Sequence, residues 1–171
     1  MRNMLVLMLV TMLVLVGVTS ARAQEEGTKI PVAHDQVISA SPILWMFKWF
    51  NADYERQISP TTTWGVSGSY LPIGDCTYGR ASVLVRYYPQ RAALTGFYLG
   101  GQTGVYRIGD AHEHEVLYGA GIDIGHAWLL GSKRNIGVSV GFGVSRVFGG
   151  DLDGASFVIP SARLLNIGIA F

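Results

Sequence analysis

Residues 136–145 read Ile-Gly-Val-Ser-Val-Gly-Phe-Gly-Val-Ser. Ile136, Val138, Val140, Phe142 and Val144 are large and apolar, whereas Gly137, Ser139, Gly141, Gly143 and Ser145 are tiny or polar. Side chains on a strand alternate faces, so this stretch is a β-strand with one apolar face and one nearly bare face. The apolar face must meet either a second sheet, as in a soluble sandwich, or lipid, as on the outside of a membrane barrel.

The alternation recurs along the chain. Thr63–Leu71 sets Trp64, Val66, Gly68 and Tyr70 against Thr63, Gly65, Ser67 and Ser69. Tyr78–Tyr88, Gly96–Ile108, Val116–Leu130 and Phe157–Phe171 alternate in the same way. Val37–Ile58 is about twice the roughly 9–11 residues of a tilted membrane strand. It is read as two strands with a tight connection near Phe47–Trp49, a single long bent strand being the competing reading. The connections at 59–62, 89–95 and 131–135 are short and lack acidic residues, whereas those at 72–77, 109–115 and 149–156 are rich in Gly and Asp. Two classes of connection on opposite ends, with both termini at one end, require an even strand count. Eight strands satisfy it.

The N-terminus adds a compartment. Arg2 precedes an apolar run over Met4–Val18, and Ala21-Arg22-Ala23 is a small-x-small cleavage site, so residues 1–23 read as a signal peptide. Residues 24–35 are a polar periplasmic leader, and residues 36–171 are the barrel domain. Loss of Arg2 and Arg22 leaves 11 basic against 12 acidic residues, which argues against nucleic acid as a partner. Cys76 is the only cysteine, so neither an internal disulfide nor a multi-cysteine zinc site is available.

Three features favour lipid over a second sheet. Tyr118 and Trp128 lie ten residues apart on one apolar face; that is about 33 Å of strand, or about 25 Å along a tilted barrel axis, the height of an apolar band between aromatic girdles. Trp64 and Tyr87 fit the same girdle level as Trp128. The opposite faces carry Gly, Ser, Gln, Asn and Tyr, as the narrow interior of an eight-stranded barrel demands. The chain also ends on Phe171, with Ile169, Ile167 and Leu165 at alternating positions before it. Counting back by twos puts Arg163 on the outward face near the outer rim, where a lipid-facing charge costs about 0–1 kcal/mol.

The terminal aromatic with alternating hydrophobics resembles the C-terminal signature of bacterial outer-membrane proteins. With the strand pattern, the chain resembles small all-β, antiparallel up-and-down transmembrane barrels of the eight-stranded OmpA/OmpX-like type. Tyr54-Glu55-Arg56 is similar to a motif of an uncharacterised subgroup of such barrels. The resemblance implies residence in the outer membrane as a monomer, with membrane lipid and the barrel-assembly machinery as partners, the latter through Leu165, Ile167, Ile169 and Phe171.

Candidate chemistry is sparse. Asp53, Glu55, Arg80, Arg86 and Asp123 fall on inward faces, and charges in a narrow lumen need partners. They are expected to form a polar network that plugs the barrel; a gated narrow channel is the functional alternative. His112 and His114 share one side of an extended loop, a metal-compatible spacing that lacks a third ligand, so a solvated loop is expected. His126 is a rim residue. It is followed by Ala127 and Trp128, so the His-x-Ser motif of lipid A deacylase-like barrels fails. Ser139, Ser145 and Ser161 have no neighbouring His on their face, and no nucleophile–base pair emerges. The expectation is a non-enzymatic envelope protein without metal or cofactor, with a structural or surface-interaction role. A soluble exported barrel or sandwich binding a small ligand and a lipid-modifying enzyme are the remaining alternatives.

Overall fold

A computed structural model describes residues 34–109, 114–149 and 156–171. Eight strands run in chain order: β1 (Gln36–Ala40), β2 (Phe50–Ser59), β3 (Thr62–Ile73), β4 (Cys76–Tyr87), β5 (Gly96–Gly109), β6 (His114–Leu130), β7 (Ile136–Phe148) and β8 (Phe157–Ala170). Each pairs antiparallel with the next, and β8 returns to β1 to close the barrel. Closure leaves no free sheet edge where pairing is complete. Residues 1–33, which include the expected signal peptide and most of the leader, lie outside the described residues, as do 110–113 and 150–155.

The apolar faces point outward. Ile122, Ile124, Val83 and Phe142 are about half exposed, while Asp123, Arg86 and Ser145 between them are buried. This inverts a soluble protein, in which ions face water and aliphatic residues face the core. Trp64, Tyr87 and Tyr118 lie exposed on the outer surface, and Trp128 on the same face as Tyr118 is half-buried.

Two local expectations are corrected. Residues 72–77 are not a loop: Pro72 pairs with Thr77 and Ile73 with Cys76, leaving Gly74-Asp75 as a two-residue turn. Gly74 has φ 60°, the left-handed value that a Gly-first hairpin turn requires. The stretch 37–58 is two strands, as read, but they are joined by a one-turn helix, α1 (Pro42–Met46), rather than by a tight turn at Phe47–Trp49. Ser41 caps α1 by accepting a hydrogen bond from the Leu44 amide, and Pro42 occupies the first helical position, where its missing N–H costs nothing.

A third correction comes from β8. Ser139 pairs with Asn166 but Gly141 pairs with Arg163, so β8 carries one residue too many across this step. The bulge at Leu164-Leu165 resets which side chains face inward. Ile167, Ile169 and Phe171 keep their exposed positions, Leu165 is half-buried in the bulge, and Leu164 is exposed. Arg163 therefore points into the barrel and not toward the outer rim.

The interior is layered. Near the short turns, the connection after β4 folds inward: the Ala93 amide donates to the Pro60 carbonyl, and Ala93 and Leu94 are buried. Leu94, Leu129 and Ala170 pack there with Val37, and Tyr88, Ala93, Tyr98 and Ala127 pack beside them. Toward the opposite, loop-bearing end, Tyr106, Leu117 and Val147 form a third cluster. Charged side chains occupy the level between.

Candidate functional site

The charged layer is built from inward positions of five strands. β2 supplies Asp53 and Glu55, β4 supplies Arg80 and Arg86, β6 supplies Asp123, and β8 supplies Arg163 with Asn166; Tyr98 enters from β5. Arg86 is the hub. Its Nη1 donates to Glu55 Oε2, and its Nε and Nη2 each donate to Asp123 Oδ2 at 3.0 Å. The guanidinium also lies over the Tyr98 ring, 4.6 Å from the centroid. A planar, permanently charged fork suits this site, since it spans two carboxylates and an aromatic face at once.

Arg163 is the second hub. Its Nη2 lies 3.2 Å from Asp53 Oδ1, and its Nη1 lies 3.0 Å from the Tyr98 hydroxyl and 3.9 Å from Asp123 Oδ2. Tyr98 thus links the two arginines, stacking under one and accepting from the other. Neutral groups complete the carboxylates: Thr63 Oγ1 and the Tyr88 hydroxyl donate to Glu55 Oε1 at 2.6 and 2.7 Å, and Asn166 Nδ2 donates to Asp53 Oδ2. Three carboxylates therefore share two guanidinium groups in direct ion pairs, and Arg80 on the adjoining cavity brings the interior to three charges of each sign.

Arg80 stands apart. Its Nη2 donates to Ser67 Oγ at 3.1 Å, and its buried Nε has no hydrogen-bond partner among the described residues. Of the five ions read from the sequence, Glu55, Arg86 and Asp123 form one cluster, Asp53 joins it through Arg163, and Arg80 lines the cavity next to it.

Glycines make the space. A Cβ on Gly100 would sit 3.0 Å from Arg86 Cγ and 3.1 Å from the Asp123 carboxyl carbon. A Cβ on Gly125 would sit 2.5 Å from Cζ of Tyr98. Neither neighbour can give way without breaking the layer.

Two small cavities remain, about 40 Å³ on the loop side and about 20 Å³ on the short-turn side. Neither has room for more than a few waters, on the order of 10–15 Å³ being needed for one. Asp53 and Arg163 line both, so the charged layer separates them.

Sequence reasoning missed Arg163, because the bulge has no local signature, and it missed Tyr98 and Asn166, which read as ordinary inward polar positions. His126 stacks on Trp128 at 4.3 Å between centroids, a rim contact. His112 lies outside the described residues and His114 opens β6. Cys76 is exposed at the Gly74-Asp75 hairpin.

Among solved structures, the chain is similar to the N-terminal β-barrel domain of Pseudomonas aeruginosa OprF. The TM-score is 0.48 and the identity 10%, over 81% of this chain and 98% of that one. No curated protein matches the chain. A family described as "Protein of unknown function (DUF3575)" matches residues 8–149, most of the chain, up to the connection before β8. The chain belongs to this DUF3575 family of proteins of unknown function.

Proposed function

We propose that the protein is an integral outer-membrane barrel with a structural or surface-interaction role, closed to solutes by the charged layer. The observation that carries this is the inversion of faces: aliphatic and aromatic side chains cover the outside of a closed barrel whose interior holds six ions. Such a surface is stable only where the surroundings are apolar. The aromatic positions Trp64, Tyr87 and Trp128 toward the short turns, and Tyr118 toward the loops, suit the two interfaces of a bilayer.

Closure follows from the layer. Arg86 and Arg163 cross the lumen to carboxylates on other strands, and the cavities beside them measure only about 40 and 20 Å³. The role is therefore assigned to the wall and loops rather than to transport. The expected outcome is a membrane-fraction protein whose gel mobility changes on heating. Recovery of the unheated protein in the soluble periplasmic extract would overturn the reading. In planar bilayers the wild-type protein is expected to give no steady conductance; a stable open level would make the channel alternative the better one.

A further inference from the structure

The outer surface of the barrel is not uniformly bulky. Ala52, Gly68 and Ala81 are exposed neighbours on one ladder across β2, β3 and β4, and Gly79 lies two residues above Ala81, paired with Arg107 of β5. A Cβ on Gly68 would meet nothing within 4 Å, and one on Gly79 would come no closer than 3.8 Å to Arg107 Cβ. Phe50 and Tyr70 stand on one side of these small residues and Val83 and Val105 on the other, all of them exposed. A groove therefore runs down the apolar wall, with Tyr70, Gly79, Val105 and Arg107 at its head and Val66, Gly68 and Val83 farther down.

The register gives its depth. A backbone ladder that leaves β6 at Gly119 and passes Ser82, Asp53 and Gly168 returns to β6 at Leu129, ten residues nearer the short turns. That offset over eight strands tilts them by about 40° from the barrel axis, so each step from β6 toward β2 along a ladder drops about 3 Å toward the short turns. Arg107 then lies within about 2 Å of the depth of Tyr118, at the loop-side girdle. From Arg107 the floor descends through Gly79, Ala81 and Gly68 to Ala52, about 14 Å deeper, close to half of a roughly 30 Å hydrocarbon core. Trp45, which packs on Phe50, stands beside Ala52 at the lower end. The groove thus spans one leaflet, the one on the loop side.

Its head carries a free charge. Arg56 pairs with Asp35, and Arg146 donates to Ser156, whereas exposed Arg107 has no hydrogen bond or ion pair among the described residues. An apolar slot of chain width below an unpaired guanidinium matches an amphiphile with an anionic head. A chain in the slot supplies the dispersion contacts that its walls lack, and a phosphate suits the planar fork of an arginine.

We propose that this groove seats one acyl chain of lipid A, the phosphorylated glycolipid of the outer leaflet, with one of its phosphates on Arg107. This rests on the outer-membrane reading above, which puts the loop-bearing end of the barrel in that leaflet. The site is on the wall, so the lumen stays closed when it is filled.

The test titrates the folded protein in detergent micelles with bis-phosphorylated lipid A and counts bound lipids by native mass spectrometry. One saturable site is expected. Arg107→Gln should weaken it about fivefold, the weight of one interfacial cation. Ala81→Leu leaves every charge in place and adds a side chain that hydrocarbon favours; by filling the groove it should weaken binding at least as much. Arg146→Gln is the control, since Arg146 lies within about 4 Å of the depth of Arg107 but has Val144 and its pair Ile122 below it. It should change the affinity by less than about twofold. Equal weakening by Arg107→Gln and Arg146→Gln, or full affinity in Ala81→Leu, overturns the groove and leaves a general attraction of headgroups to the rim. Equally tight binding of lipid A stripped of its phosphates overturns the Arg107 contact. Competition by phosphatidylglycerol as effective as that by lipid A overturns the glycolipid as the occupant. Heat-shifted mobility of each variant shows that it has folded. A parent protein found in the membrane fraction but without a lipid A site overturns this inference alone, whereas one found in the soluble periplasmic extract overturns the membrane reading with it.

Discussion

Arg86 and Arg80 are both inward arginines of β4, six residues apart, yet they carry very different energetic weight. Arg86 is fully buried and contacts two carboxylates and an aromatic ring. Removing one partner of such a cluster strands the others, at a cost of about 3–5 kcal/mol. Arg86→Ala is therefore expected to lower the unfolding free energy in urea by about that amount. Arg80→Ala, which breaks one hydrogen bond to a serine, should cost about 1 kcal/mol. Equal losses in the two variants would show that Arg86 is not a hub. Outward arginines follow a third logic. Arg146 is exposed on β7 and donates to Ser156 Oγ at 2.9 Å, at the loop-bearing end. Arg146→Leu is expected to change stability by less than about 1 kcal/mol in a bilayer, against a loss of about 3–5 kcal/mol for Arg163→Leu.

At the scale of the element, the bulge in β8 decides the composition of the lumen. Strict pairing with β7 would turn Arg163 outward and leave Asp53 without its cation. Deleting Leu164 removes the extra residue. The deletion is expected to reduce the folded, heat-shifted fraction sharply, and Arg163→Leu is expected to restore part of it in the deletion background while harming the intact chain. Additive effects of the two changes would mean that the bulge does not set the direction of Arg163. The helix α1 is a second such device. Ser41-Pro42 is a cap followed by a first-turn proline, so the chain leaves the sheet after five residues of β1 and re-enters it at Phe50. One consequence is a barrel with one short wall.

For the whole molecule, closure and inversion act together. A closed eight-stranded sheet satisfies its backbone internally except where α1 interrupts it, and its interior is narrow enough for side chains to fill. Filling it with ions between apolar clusters at either end ties five strands across the lumen. Such cross-strand ties should make unfolding cooperative. In urea, the Trp fluorescence transition and the loss of heat-shifted mobility are expected to share one midpoint in the wild type. Separate midpoints in the wild type would mean that the strands unfold independently of the layer.

The period-two pattern determined the class of fold, the strand number and the inward or outward sense of most positions, because on a strand facing depends only on residue parity. Parity alone also marked Asp53, Glu55, Arg80, Arg86 and Asp123 as inward. Two expectations failed where parity failed. The bulge inserted one residue and reversed Arg163, and a capped helical turn replaced half of β1. Which polar groups meet was likewise decided only in three dimensions. Arg86 reaches Asp123 across 37 residues of sequence and Asn166 reaches Asp53 across 113, distances over which no local pattern carries information. Parity is a local property of the chain, whereas the contents of a lumen are set by the register and curvature of the closed sheet.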